Sequence, residues 1–399
     1  MVGCTLLLVF LTGPYAATAK ADAATLMNAV VQTAEKHWPD GDTRQDNRPY
    51  LWNYTKGVLL MGFQDAAAVS SAPEYDRYVR VAIDKVVDSG GHLKDFPNEP
   101  HSLDQIPMGR QLLYLYNETH QDRYAAGAKH VFDELTLQPR NRAGGFWHKQ
   151  IYPAQMWLDG LYMAEPFYAE YAVTFHCPPD AFEDITHQFA VMEEHARDPK
   201  TGLLYHGWDE SHQQAWANGK TGLSSQFWGR SVGWFAMALV DTLPYYAADD
   251  PGRQQLLAIL NRLAAAIIKV QDPDTGVWWQ VLDRAGAPGN YLEASASAMF
   301  IYALEKGVRL GYLPTSYLVP ARKGWDGFCA HFLEREPGGA VHITGIVRSG
   351  GLGGNPYRSG TYDYYTHERV VTDDPQGVGA FLMAASEEVR LEECNQRAK

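Results

Sequence analysis

The sequence predicts an all-α protein, an (α/α)6 barrel of six helical hairpins folded as a single domain. Three observations carry that expectation. Apolar residues recur at helical spacing in one segment after another. Successive segments alternate between charged and nearly uncharged. No Pro/Ser-rich linker divides the pattern.

In chain order the predicted helices cover 24–38, 53–70, 73–89, 102–120, 121–138, 154–175, 178–198, 231–247, 251–272, 290–311, 314–336 and 376–392. Segment 251–272 is typical of the outer set. Leu256, Leu260, Leu263, Ala264 and Ile267 share one face, Arg253, Asn261, Arg262 and Lys269 lie elsewhere, and Pro251 suits an early helical position. The third segment, "EYDRYVRVAIDKVVDS" at 74–89, is likewise charged on part of its surface. "GWFAMALV" at 233–240, "ASASAMFIYAL" at 294–304 and "GVGAFLMAAS" at 377–386 carry no charge, and a helix apolar on all sides is buried on all sides. Alternation of the two kinds predicts an inner ring of six helices inside an outer ring of six. Small residues at Gly57, Gly109, Gly160, Gly233 and Ala298 would let the inner helices approach closely. A short β piece is expected in "GVWWQVLD" at 276–283.

The chain of 399 residues, 46% hydrophobic and 20% charged, is able to bury a large core. A formal charge of −13 argues against a sequence-independent nucleic-acid binder, which needs a basic surface. After residue 25 no segment reads as membrane-spanning. The opening "MVGCTLLLVFLTGPYAATAKADAAT" has an apolar run followed by small residues. It predicts a signal peptide over 1–21 and a secreted or periplasmic protein, with a barrel domain over 22–399. A cytoplasmic protein with an apolar start is the alternative, since no Lys or Arg precedes the run. Cys177, Cys329 and Cys394 show no paired spacing, so neither a disulfide framework nor a zinc site is expected. Asn53 and Asn117 match the N-glycosylation pattern.

The chemistry gathers near the starts of the even helices: "WNYTKG" at 52, "SLDQIPMGR" at 102, "MWLDGLYM" at 156, "WGRSVGW" at 228, "NYLEASAS" at 290 and "DDPQGVGAF" at 373. Inner helices of such a barrel begin at the same end, so these stretches converge on one mouth. The loops "FWHKQ" at 146–150 and "YHGWDES" at 205–211 add to it. Aromatic rings with sparse polar groups suit a pyranose, which has an apolar face and a polar rim. Trp52, Tyr54, Trp208, Trp228 and Trp234 are candidates for stacking, although any one Trp suits core packing equally well. Arg230, Lys149, His148 and His206 form a local positive patch, which favours a uronic acid over a neutral sugar. Arg230 equally suits a structural pair with Asp104 or Glu293. Asp104 and Asp159 sit in the most apolar settings of any carboxylates in the chain. Asp159 lies among Met156, Trp157, Leu158, Leu161, Tyr162 and Met163, where a carboxyl is expected to hold its proton tightly. Each also suits a helix cap. "SGGLGGN" at 349–355 lacks the phosphate-loop patterns and reads as a loop over the mouth, and the aspartates at 373–374 read as a cap for the last helix.

"FWHKQIYPAQMWLDGLYMAEPF", "YHGWDES", "FWGRSVGWFAMALVD", "YLEASASAMFIYALEKGVRLGYL" and "DDPQGVGAFLMAASE" resemble glycoside hydrolase family 105, the unsaturated rhamnogalacturonyl hydrolases, over about residues 50–387. The resemblance implies an (α/α)6 barrel with no metal or organic cofactor. It implies an unsaturated oligosaccharide substrate, left by a polysaccharide lyase, whose terminal uronic acid carries a C4=C5 double bond. By the same resemblance Asp159 protonates C4 and water adds at C5. Asp104 would orient water and sugar hydroxyls, His206 would occupy a site position, Trp228, Arg230 and Trp234 would hold the uronate ring, and His148 and Lys149 would line the site. Trp52 and Tyr54 match through a shorter motif. Three other readings are an unsaturated glucuronyl hydrolase acting on glycosaminoglycan or arabinogalactan fragments, a non-catalytic sugar-binding barrel, and a terpene-processing barrel. The last would need an aspartate cluster or D-x-D-D acid that the chain lacks.

Overall fold

A computed structural model describes residues 22–44, 50–98 and 101–397. The stretch 1–21 that reads as a signal peptide lies outside them. Among the described residues the α-helices are α1 (Ala23–His37), α2 (Tyr54–Val69), α3 (Pro73–Asp84), α4 (Gly109–Thr119), α5 (Asp122–Thr136), α6 (Leu158–Thr174), α7 (Asp180–Ala196), α8 (Gly229–Thr242), α9 (Pro251–Lys269), α10 (Ala294–Arg309), α11 (Leu318–His331), α12 (Tyr362–His367) and α13 (Pro375–Arg397).

Helices α2, α4, α6, α8, α10 and α13 pack side by side and close into an inner ring, with α13 returning to α2. The outer layer is α3, α5, α7, α9 and α11, each against the inner helix that precedes it, and α1 against α13. The two ends of the chain thus supply the sixth hairpin, and the fold is the predicted (α/α)6 barrel. Every described residue of α8 is buried, and α10 is buried from Ala294 to Glu305. By contrast α3 buries only Tyr75, Tyr78, Val79, Ala82 and Ile83, one face at helical spacing.

Close approach needs glycine where the inner helices cross. A Cβ on Gly109 would fall 2.5 Å from the Phe167 ring, and one on Gly379 would fall 2.4 Å from the Val58 carbonyl oxygen.

Several predicted boundaries differ from the observed ones, among them 73–89, where α3 ends at Asp84, 231–247, where α8 ends at Thr242, and 314–336, where α11 ends at His331. Segment 102–120 opens with a single 3-10 turn, Leu103–Gln105, and becomes α-helical only at Gly109, because Pro107 has no N–H with which to continue the ladder. Segment 154–175 opens as strand β1 (Gln155–Trp157), paired antiparallel with β2 (Gly207–Asp209). Segment 276–283 forms no strand and contributes only single bridges, Trp228 to Val281 and Trp279 to Leu292. Three further short strands and a fourth form two hairpin-like pairs: β3 (Leu333–Arg335) with β4 (Val341–Ile343), and β5 (Ile346–Val347) with β6 (Val370–Val371). Helix α12 was not anticipated. As expected, Asp374 caps α13 by accepting from the Gln376 backbone N–H at 3.0 Å.

Candidate active site

Two pieces of backbone pairing build the mouth. The β1–β2 pair sets Trp157 opposite Gly207, and the Leu158 N–H donates to the His206 carbonyl at 3.0 Å. This fixes His206 beside the first turn of α6, where Asp159 projects. His206 Nε2 faces Asp159 Oδ2 at 3.1 Å. Neither atom completes a well-aligned hydrogen bond to another group among the described residues. His206 is fully buried, and its Nδ1 lies 2.6 Å from the Tyr365 hydroxyl on α12. Burial pushes the Tyr365 phenol well above its ordinary value, so it stays neutral and holds the imidazole in place. The Asp159 side chain retains 12% of its exposure, enough for a ligand to reach it.

The second piece is the bridge between Ser102 and Lys149, with the Leu103 N–H donating to the His148 carbonyl at 3.0 Å. It presents Asp104 to Lys149 Nζ at 2.5 Å and to His148 Nε2 at 3.5 Å. Burial pushes the Asp104 carboxyl up, but the Lys149 ammonium against it outweighs burial and holds the group below its ordinary range. Asp104 is therefore an anion at neutral pH. Burial also pushes His148 down to about 4, against the pull of Asp104, so this imidazole is neutral. Its ring stacks on Trp157 at 4.3 Å, and Tyr152 stacks on the same indole at 5.1 Å. Both carboxyls and His206 lie within electrostatic reach of His148.

The structure brings together Asp104, His148, Lys149, Asp159 and His206. Tyr54 is half-buried within electrostatic reach of Lys149. The remaining predicted residues stand behind the site. Trp52 is buried and donates through Nε1 to the Gln105 carbonyl at 2.8 Å, so it braces the turn that carries Asp104 instead of offering a stacking face. Trp208 turns away from the mouth, because alternate residues of β2 point to opposite sides, and stacks on His195 of α7 at 3.7 Å. Trp234 is buried against Tyr162. Trp228 is buried, donates to Gln280 Oε1 at 3.1 Å, and forms the wall behind His206 and Tyr365.

Arg230 is fully buried and its guanidinium is engaged by the protein. It donates to Ser295 Oγ at 2.8 Å, Gln376 Oε1 at 3.0 Å and the Val347 and Arg348 carbonyls, with Glu293 at 3.7 Å. The structural pairing with Glu293 is the arrangement observed, and Arg230 ties α8 to α10 and α13 beneath the mouth.

Three aromatic residues and an arginine at the mouth escaped the sequence reading. Trp157 stood in a quoted motif, but a helical reading gave it no direction. Tyr152, Tyr365 and Arg358 lie in loops or in the short α12, where no periodicity points to them. Arg358 lies over Trp157 and Tyr152, 5.6 Å from each ring centre.

A buried-floored mouth with two unlike carboxyls, a neutral imidazole and stacked rings defines a carbohydrate-processing enzyme of the (α/α)6 class. Residues 26–392 match the model of Glycosyl Hydrolase Family 88. A family 105 glycoside hydrolase structure from C. acetobutylicum ATCC 824 is 37% identical, with a TM-score of 0.86, over 91% of this chain and 99% of that one. The unsaturated rhamnogalacturonyl hydrolase YesR of Bacillus subtilis is 30% identical over 275 residues, 67% of this chain and 74% of the relative. Protein Atu3128 of Agrobacterium fabrum is 43% identical over 235 residues, 57% of this chain and 99% of that protein. The chain belongs to the unsaturated glycuronyl hydrolases, the family 88 and 105 group, and within it to glycoside hydrolase family 105. It is an enzyme, which removes the non-catalytic barrel from consideration.

Proposed function

We propose that this enzyme removes the 4,5-unsaturated uronic acid from the non-reducing end of lyase-generated rhamnogalacturonan oligosaccharides by hydrating the C4=C5 bond. The observation that carries the reading is the division of labour between the two carboxyls. Asp104 is committed as an anion to Lys149, whereas Asp159 is tied to no cation of that kind: its buried Oδ2 faces the His206 ring without a completed hydrogen bond among the described residues, and the side chain as a whole keeps 12% of its exposure toward the mouth. The relative YesR supports rhamnogalacturonan as the source of the substrate.

Asp159 gives its proton to C4, and positive charge develops at C5 and the ring oxygen. Water attacks C5 and loses a proton to the Asp159 carboxylate, which restores the acid. The hemiketal formed at C5 opens, and the aglycone leaves from C1. His206, fixed by Tyr365, orients the Asp159 carboxyl. Asp104 orients water and a sugar hydroxyl, and its negative charge favours the cationic transition state. The signal-peptide reading of residues 1–21 assigns this chemistry to a secreted or periplasmic enzyme.

The test is loss of alkene ultraviolet absorbance with a panel of unsaturated disaccharides. Asp159→Asn is expected to lower turnover of the rhamnose-linked substrate by at least about 10³-fold with an unchanged melting temperature. Wild-type turnover confined to glycosaminoglycan or arabinogalactan fragments would instead assign the enzyme as a glucuronyl hydrolase. Full activity in Asp159→Asn would reject the acid.

A further inference from the structure

A uronate brings a carboxylate to the mouth, and the cations at and beneath the mouth differ in what they have left to offer. Lys149 is neutralised by Asp104 at 2.5 Å. Arg230 is fully buried and surrounded by acceptors of the protein itself. Arg358 is different. Its Nε donates to the Gly353 carbonyl at 2.9 Å, and its Nη2 donates to Tyr152 Oη at 2.7 Å and to the Leu352 carbonyl at 3.2 Å. These acceptors are all neutral, so the charge is held in place without being cancelled. No acceptor among the described residues takes Nη1.

The loop is shaped around this side chain. A Cβ on Gly351 would fall 2.2 Å from Nη1, and one on Gly354 would fall 2.8 Å from Nη2. A Cβ on Gly350 would fall 2.6 Å from the Trp228 ring, so the loop lies directly on the wall of the mouth. The guanidinium lies beside Tyr152 and Trp157, 5.6 Å from each ring centre, and Trp157 precedes Asp159 by two residues. Arg358 is within electrostatic reach of both Asp104 and Tyr365, the latter being the hydroxyl that holds His206 against Asp159.

We propose that Arg358, carried on the Gly-rich loop 349–360, receives the substrate's carboxylate and so makes the enzyme selective for the free uronic acid over its ester. The inference rests on the proposed function, since it takes an unsaturated uronate as the ligand. A planar guanidinium stiffened on two rings suits a carboxylate, and a charge-assisted hydrogen bond is worth about tenfold to a hundredfold in affinity.

The test is calorimetric binding of the unsaturated rhamnogalacturonan disaccharide and of its methyl ester to the Asp159→Asn protein, which does not consume them. The acid should bind about tenfold to a hundredfold more tightly than the ester. Adding Arg358→Gln should erase that preference, and adding Arg358→Lys should keep part of it. Tyr152→Phe, which removes one tether of the loop but not the charge, should retain it. An acid preference unchanged in Arg358→Gln overturns the proposal, as does its absence from the Asp159→Asn protein. Equal loss in Tyr152→Phe overturns it too, because the effect would then belong to loop order. Loss of alkene absorbance with the unmodified enzyme reports on the proposed function separately, so either reading can fail alone.

Discussion

Lys149 and His148, the two residues beside Asp104, have charge states that bear on how the protein responds to pH. Lys149 holds Asp104 ionised against the pull of burial. In Lys149→Met that support is gone and the Asp104 carboxyl rises. If the anion is the working form, the acid limb of the kcat/KM profile moves to higher pH, and an unmoved limb would remove Asp104 from the mechanism. His148 is pushed down to about 4 by burial. The unfolded chain protonates this histidine near its ordinary 6.5 while the folded one does not, so stability falls as pH drops from about 6.5 to about 4. The difference amounts to about 3 kcal/mol at most. A His148→Asn variant should have a flatter stability profile in that window, measured by denaturant titration at several pH values against the parent. Residue chemistry was only partly legible in the sequence. Asp159, Asp104, His148, Lys149 and His206 stood in motifs whose residue types could serve acid–base chemistry. Arg230 and the tryptophans at 52, 228 and 234 stood in similar motifs, yet they serve the wall. An inner helix that is buried on every side has no exposed face, so nothing in its pattern separates a side chain that reaches the mouth from one that props it.

At the level of elements, the closure of the inner ring depends on α2 and α13 meeting without side chains between them. Gly62 faces Gly379, and Gly379 lies against the Val58 carbonyl. Gly379→Ala sets a Cβ against backbone that cannot yield by a side-chain rotation. It should cost about 1–3 kcal/mol and lower the melting temperature, with a recoverable kcat in whatever protein remains folded. The helices were legible because their periodicity is long and regular, and the outer ones kept one charged face. The shorter features were not. A strand of three residues at Gln155–Trp157 runs straight into α6 without a break in hydrophobicity, so it reads as helix. Its consequence is large, because strand alternation sends Trp157 and Trp208 to different sides. The six-residue α12 is too short to show a period, although it supplies the hydroxyl that holds His206.

On the scale of the whole molecule, the barrel gathers residues separated by more than 200 positions, from Asp104 to Tyr365, at one end of six helices that all start there. Alternation of charged and uncharged segments in the sequence predicts that convergence. It could not predict that the first and last helices would form the sixth hairpin, since that contact depends on ring closure and not on neighbouring sequence. Nor could it predict that a glycine-rich loop would bring an uncancelled guanidinium to a mouth in a chain of net charge −13. The proposed hydration differs from ordinary glycoside hydrolysis in where water enters the sugar. Turnover of the unsaturated rhamnogalacturonan disaccharide in heavy-oxygen water, followed by mass spectrometry of the released keto sugar, locates that atom. Label at C5 is the predicted result, and label at the anomeric carbon would contradict it.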